Sequence, residues 1–305
     1  MENKIYDIII VGAGPAGMAA ALYAKRSNKE VLILEKEAIG GQIALAPKVE
    51  NFPTIKSVTG ASLADMMFEQ IVDMGVQFEL EKVENITKEN NVFTITTDYK
   101  TYNALSVIVA TGSKHKMIGL KNEEEWIGKG LSYCATCDGS FFKDEDVAVV
   151  GDGNSALQYA LQLSDICHKV FVCILFDKFF GDLVLVERLY NKKNIEVITN
   201  ISLKDIKGND NIEELVFENL LTHNEITLPV KGCFIAIGQN PDNEIIKNLV
   251  EINKAGYAVV DETTTTKTSG LFVAGDCRTK QVRQASTAVA DGAIAAIKAV
   301  EYLNQ

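Results

Sequence analysis

Positive charge is in short supply in this sequence: 30 lysines and arginines face 41 aspartates and glutamates, a formal net charge of −11. Phosphate binding needs a basic face, so this balance argues against a nucleic-acid partner. Any acidic protein partner would have to dock on a local cluster such as Lys192-Lys193 or Arg278, Lys280 and Arg283. Long apolar runs are missing too. No stretch approaches the roughly 18 apolar residues of a membrane span, and Met1-Glu2-Asn3-Lys4 leads into a strand pattern without a signal-peptide layout. A cytoplasmic protein without membrane contact is the expectation. Cysteine is sparse, 6 in 305 residues, which argues against a disulfide scaffold and for redox chemistry at a few positions. Metal-ligand spacing is absent as well. One CxxC stands alone, Cys167, Cys173, Cys233 and Cys277 make no second pair, and His115, His168 and His223 show no HxxxH-like interval. Tetrahedral zinc usually needs a second ligand pair, so no metal is expected.

What is present is organised around Cys134-Ala135-Thr136-Cys137-Asp138-Gly139. Two thiols three positions apart, followed at once by a carboxylate, suit thiol–disulfide exchange: one thiolate attacks, its neighbour resolves the mixed disulfide, and the acid moves the proton. An inert pair of core cysteines is the bland alternative, yet Asp138-Gly139 does not read as a buried apolar run.

The length leaves room for about two domains. An apolar strand at residues 5–11 ends in Gly12-Ala13-Gly14-Pro15-Ala16-Gly17, a helix follows from 18 to about 26, and a second strand at 31–34 ends at Glu35. This is a dinucleotide-binding βαβ pattern in its required context. Its glycines permit a tight turn, its helix N-terminus faces a pyrophosphate, and its terminal acid accepts ribose hydroxyls. Gly40-Gly41-Gln42 and Glu50-Asn51-Phe52-Pro53 follow on loops, then a helix at 62 to about 74 and two strands, 77–83 and 92–97, read as a small antiparallel insertion. A buried strand at 105–110 runs into Thr111-Gly112, where the glycine is either a simple turn or lets a flavin ring lie against backbone.

A second βαβ begins with a strand at 147–150 and the turn Gly151-Asp152-Gly153-Asn154-Ser155-Ala156, with a helix to about 163 and a strand at 170–175. The chain therefore reads as two related nucleotide-binding units, which suits electron transfer between a flavin and a second nucleotide. The second unit lacks the matching chemistry. Glu35 stands 23 positions after Gly12, and the same offset from Gly151 lands on Ile174. An NAD site wants a carboxylate there and an NADP site an arginine nearby. Asp177 and Lys178 are the displaced alternatives, and Asp152 adds a negative charge to the turn. Strands follow near 196–198, 213–218 and 225–228, then a buried strand and turn at 232–241. A further buried strand ends in Gly275-Asp276, and Arg283-Gln284-Ala285 leads into a helix at 286–303. Asp276 either accepts hydroxyls from the polyol chain of a flavin or caps a helix.

Together these motifs resemble the low-molecular-weight thioredoxin reductase family over nearly the whole chain, in order and spacing. The residues that carry the likeness are the Gly12 turn, Gly40-Gly41-Gln42, Glu50-Asn51-Phe52-Pro53, Ala110-Thr111-Gly112, the CxxC stretch, Gly238-Gln239-Asn240-Pro241, Gly275-Asp276 and Arg283-Gln284. The resemblance implies an α/β fold of two Rossmann-like three-layer domains in a homodimer. A discontinuous FAD domain would cover about 1–115 and 246–305, and a central domain at 116–245 would carry the CxxC. It implies that Cys137 lies against the flavin, that Cys134 attacks the disulfide of thioredoxin, and that Asp138 is the acid. It places Gly12, Gly14, Pro15, Ala16, Gly17, Glu35, Lys36, Gly41, Gln42, Asn51, Val83, Ala110, Thr111, Gly112, Gly275, Asp276, Arg283, Gln284 and Ala285 at FAD-binding positions.

One departure matters. Members dependent on a pyridine nucleotide carry a His-Arg-Arg-Asp-x-Phe-Arg run where this chain reads Ile174-Leu175-Phe176-Asp177-Lys178-Phe179-Phe180. The aspartate and first phenylalanine align, but the basic positions are apolar. That pattern resembles the NADPH-independent branch, the ferredoxin-dependent flavin thioredoxin reductases, which implies reduced ferredoxin as the partner that supplies an iron–sulfur cluster. A reductase using NADPH or NADH through an atypical strand stays open, as do a reductase for another disulfide protein and a flavin-bound redox sensor.

Overall fold

The computed structural model describes residues 4–46, 49 and 51–305; Met1-Glu2-Asn3, and Glu50 of the second loop motif, lie outside the described residues. The chain divides into two compact units, Met1–Lys114 with Asn240–Gln305, and His115–Gln239. Re-entry into the first unit falls at Asn240, ahead of the expected 246, because Asp242, Glu244 and Ile245 already line that unit's cavity.

In the first unit, Gln77–Leu80, Val31–Glu35, Ile5–Val11 and Thr101–Val109 lie side by side in parallel, and Leu271–Val273 adds to Thr101–Val109. A strand covered on both faces needs a continuous apolar run, and Ile8, Ile9, Ile10 and Val11 supply one, all buried. The sheet continues antiparallel through Val92–Thr97 and Val83–Glu89. The single strand expected at 77–83 is thus two strands in different parts of the sheet. Glu81 makes the break: its carboxylate turns inward and accepts from the Thr97 hydroxyl at 2.7 Å and the Tyr102 hydroxyl at 3.0 Å. Helices Pro15–Arg26 and Ala285–Leu303 cross so closely that a Cβ on Gly292 would lie 2.0 Å from the Ala16 carbonyl oxygen.

The second unit repeats the plan. Ile195–Ile198, Lys169–Cys173, Asp146–Val150, Gly232–Ile235 and Leu131–Ser132 form a parallel sheet. Beside it in sequence lies an antiparallel trio, Ile201–Gly208, Ile212–Asn219 and Glu225–Pro229. Sequence reading gave no strand at 201–208, where the register shifts between Leu203 and Asp205 and so breaks the period-2 alternation. Each unit is a Rossmann-like α/β arrangement. Among the described residues no helix is long and apolar enough to cross a membrane.

Candidate functional site

The first unit builds a cradle around Gly12. There φ is +108° and a Cβ would sit 2.4 Å from the Ala110 carbonyl oxygen, so the turn requires glycine. Helix Pro15–Arg26 then starts on Gly14 with no side chain capping it. Its first N–H groups and the positive end of its dipole are left available, and nothing lies within 4 Å on the side of Gly14 where a Cβ would point. Glu35 is buried at the end of its strand, and its carboxylate accepts from the N–H groups of Ala13 at 2.7 Å, Lys36 at 2.9 Å and Glu37 at 2.9 Å. Gly12, Glu35, Lys36, Val83, Thr111 and Asp242 help to enclose a cavity of about 360 Å³, and Lys36 ion-pairs with Asp242. Gly41 is drawn in beside Gly14 because the Gly40 N–H donates to the Ala13 carbonyl at 2.9 Å. Ala110 is buried behind the turn, Gly112 leads away from it, and Gln42 is exposed.

The far end of the cradle comes from the last third of the chain. Gly275 lies against Ala16, and its N–H donates to Asp291 Oδ2 at 3.0 Å. Asp291 also accepts from Arg278 Nε and Nη2, each at 2.8 Å, and from Lys280 Nζ at 2.9 Å. Burial pushes its carboxyl up, but these two cations outweigh burial and hold it below the usual carboxylate range. Asp276 Oδ1 and Arg283 Nε are buried without a hydrogen-bond partner. Burial raises the Asp276 carboxyl, with Lys280 and Arg283 pulling against it. Gln284 caps helix Ala285–Leu303 and accepts from the Asn51 amide at 3.1 Å, which joins two of the expected positions. Of the two basic clusters on which an acidic partner would have to dock, Arg278, Lys280 and Arg283 do not form an exposed face. Arg278 and Lys280 keep 9% and 7% of their side chains exposed, both spent on Asp291, and the Arg283 guanidinium stacks 4.2 Å over the Tyr257 ring. Asp291 was invisible as a site residue because a lone acid in an alanine-rich helix carries no motif.

The second unit holds the thiol pair. Cys134 and Cys137 are half-buried and joined as a disulfide, Cα to Cα 5.3 Å. Cys134 caps the short helix Ala135–Asp138, and the Cys137 N–H donates to Cys134 Sγ at 3.2 Å. The Ser132 hydroxyl donates to Asp138 Oδ2 at 2.6 Å, and its oxygen accepts from the Cys134 N–H at 3.0 Å. Asp138 Oδ1 is buried without a partner. Burial pushes the Asp138 carboxyl above its ordinary range, and the Ser132 hydrogen bond opposes that rise in part. Helix Asn154–Ser164 braces the turn: the Tyr159 hydroxyl donates to the Tyr133 carbonyl at 3.0 Å, and Thr136 and Gln162 bond at 3.1 Å. Gly139 follows because a Cβ there would lie 2.9 Å from Leu163 Cδ2. Cys167, Cys173, Cys233 and Cys277 are all buried, and burial pushes each thiol up, Cys167 and Cys277 to about 11. Ser132, Tyr159 and Gln162 escaped sequence reading; only the serine's place two residues before Cys134 was a signal.

The second βαβ matches the first in backbone but not in the side chain at its strand end. The Gly151 N–H donates to the Cys173 carbonyl at 3.1 Å, as the Gly12 N–H does to the Leu34 carbonyl at 2.8 Å. Ile174 is therefore the counterpart of Glu35, and it is fully buried. Segment 179–182 packs beside this turn, while the helix start at Gly153 carries no side-chain cap and has nothing within 4 Å where a Cβ would point. The Phe180 N–H donates to the Asp152 carbonyl at 2.8 Å, and Gly181 packs beside Asn154 at the start of the helix. The Asp182 N–H donates to Asn154 Oδ1 at 2.7 Å, and the Asn154 amide returns a bond to Asp182 Oδ2 at 3.2 Å. Among the described residues no group of three or more His, Cys, Asp or Glu could hold a metal ion.

A family model described as pyridine nucleotide-disulphide oxidoreductase matches residues 6–292. The chain belongs to that family. Within it, a thioredoxin reductase from Peptoclostridium acidaminophilum is 36% identical over 99% of this chain and 98% of its own length. The crystal structure of thioredoxin reductase from Streptococcus pyogenes MGAS5005 is 37% identical, covers 99% of both chains and superposes with a TM-score of 0.90. The crystal structure of a ferredoxin-flavin thioredoxin reductase from Clostridium acetobutylicum is 30% identical, covers 98% of both chains and gives a TM-score of 0.54. The thioredoxin reductases of this family are FAD flavoproteins. The first unit fits that cofactor: an uncapped helix end suits a pyrophosphate, the fixed Glu35 carboxylate suits a ribose, and the orphaned Asp276 Oδ1 suits a polyol chain.

Proposed function

We propose that this protein is a flavin-dependent thioredoxin reductase whose electrons come from reduced ferredoxin and not from a pyridine nucleotide. One observation carries the choice of donor: the second βαβ presents a buried Ile174 where a nucleotide needs a ribose ligand. A nucleotide at that strand end would find no carboxylate at 174 and no arginine in 174–180.

FAD would be held by the 12–17 turn, Glu35, Lys36, Gly41, Gln42, Asn51, Val83 and 110–112. Gly275, Asp276 and Arg283-Gln284-Ala285 complete its site. When bound it supplies the ability to take electrons singly from an iron–sulfur cluster and give them up as a pair. Ferredoxin clusters near −400 mV and thioredoxin near −270 mV leave roughly 6 kcal/mol for a two-electron transfer. Cys137 is the thiol assigned to the cofactor and Cys134 the one assigned to thioredoxin. In the reduced pair the Cys134 thiolate, stabilised by the Cys137 N–H, attacks one sulfur of the thioredoxin disulfide. A mixed disulfide forms, the second thioredoxin sulfur leaves as a thiolate, and Asp138 supplies its proton. The ionised Asp138 takes the Cys137 proton, and the Cys137 thiolate attacks Cys134 Sγ to restore the disulfide. The first thioredoxin sulfur leaves as a thiolate that receives this proton from Asp138, so dithiol thioredoxin is released and solvent reprotonates Asp138. A homodimer in the cytoplasm belongs to the same reading.

Anaerobic titration of the FAD-loaded protein tests the donor. Bleaching of the flavin by reduced ferredoxin, with NADPH and NADH inert at equal concentration, is the expected result. Rapid stoichiometric bleaching by NADPH would overturn it.

A further inference from the structure

Ser132 is buried, and its hydroxyl sits between two parts of the thiol site that no motif connects. A serine hydroxyl has one hydrogen to give and lone pairs with which to accept. The Cys134 N–H can only donate, so at 3.0 Å it occupies a lone pair of Ser132 Oγ. The serine hydrogen therefore points elsewhere. Asp138 Oδ2 lies 2.6 Å away, and the competing Cys134 carbonyl is farther off at 3.4 Å. A neutral carboxyl accepts best at its carbonyl oxygen, so while Oδ2 takes this hydrogen the acidic proton is favoured on the other oxygen. That oxygen is Oδ1, buried and without a partner.

Resting on the thioredoxin reductase reading, we propose that Ser132 is a positioning residue that fixes Asp138 Oδ1 as the proton-bearing oxygen and ties the acid to the backbone of the attacking cysteine. When Asp138 gives its proton to the departing thioredoxin thiolate, the Ser132 bond becomes charge-assisted and strengthens, which favours the transfer. Because the same oxygen holds the Cys134 N–H, any movement of the cysteine turn carries the acid with it.

The test is stopped-flow oxidation of dithionite-reduced, FAD-loaded enzyme by thioredoxin disulfide across a pH series, for wild type, Ser132→Ala, Ser132→Thr, Asp138→Asn and the double variant Ser132→Ala/Asp138→Asn. Ser132→Ala should slow oxidation about tenfold and move the alkaline limb up by about one pH unit, because the ionised form loses its donor. Ser132→Thr should restore both, and the rate of flavin reduction by dithionite should not change. The double variant should be no slower than Asp138→Asn alone, since Ser132 acts through the acid. A double variant slower by a further tenfold, or an unshifted limb in Ser132→Ala, overturns the proposal. Bis(2-hydroxyethyl) disulfide, whose leaving thiolate also needs a proton, is run in parallel. If wild type oxidises with it and ignores thioredoxin, the functional reading fails while the Ser132 comparison still stands or falls on its own limb shift.

Discussion

Replacing Asp291 by alanine removes the carboxylate that ion-pairs with two buried cations. The Arg278 and Lys280 side chains are 9% and 7% exposed, and Asp291 receives three charge-assisted bonds from them besides the Gly275 N–H. Breaking a buried pair by deleting one partner costs about 3–5 kcal/mol, since the remaining charge stays desolvated. In a unit of this size each kcal/mol moves the melting temperature by about 2–4 °C, so Asp291→Ala should melt lower by on the order of 10 °C. Calorimetry of the FAD-loaded and stripped proteins measures it, and the loss should appear in both forms. The effect also has a pH signature. The Asp291 carboxyl is held below its ordinary value, so its contribution is present above the unfolded value near 3.8 and is lost as pH falls through the lowered folded value. The gap between wild type and variant should therefore be full at neutral pH and close only in strong acid. A shift under 2 °C at pH 7, or a gap that does not depend on pH, would refute the argument that these cations are buried and need this partner.

Asp276→Asn keeps the shape of an orphaned buried acceptor and removes its charge, so equilibrium dialysis should find FAD bound roughly 10- to 100-fold more weakly. Cys134→Ser should leave the flavin reducible and abolish thioredoxin reduction. Cys137→Ser should instead accumulate a mixed disulfide with thioredoxin on a non-reducing gel, and the reverse pattern would exchange the two thiol roles. Asp138 is held above the ordinary carboxylate range by burial, so it stays protonated to higher pH than a surface acid and its help fades as pH rises through that value. Asp138→Asn should lower the rate at least about 100-fold and flatten the alkaline limb; an unchanged pH profile would assign the proton to another group.

The βαβ units were readable in the sequence because their signals are local. An unbroken Ile8-Ile9-Ile10-Val11, a glycine that no other residue can replace, and an acid at a fixed offset all sit within one short segment. The same locality made the missing acid at Ile174 readable. What stayed hidden depends on partners distant in sequence. Glu81 splits one expected strand into two through Thr97 and Tyr102. The bulge near Leu203 erases the alternation that marks a strand. Arg278 and Lys280 read as surface charge until Asp291, on another element, claims them. Glu123 is a similar case: its buried carboxylate accepts from the Ile118, Gly119 and Leu120 N–H groups and the Tyr133 hydroxyl, a convergence no motif announces. In the thiol site both cysteines and Asp138 were legible, and Ser132 was not, because its importance lies in bridging two groups and not in its own chemistry.

Segment 179–182 is laced to the second turn by the Phe180 N–H on the Asp152 carbonyl and the Asp182 N–H on Asn154 Oδ1. Its course and the fully buried position 174 are therefore parts of one local packing arrangement. Placing a carboxylate or an arginine at 174 alone puts charge into a fully buried site, which costs stability. A laboratory attempt to install a charged nucleotide-binding strand here should begin by transplanting the whole of 174–182 and not a single side chain.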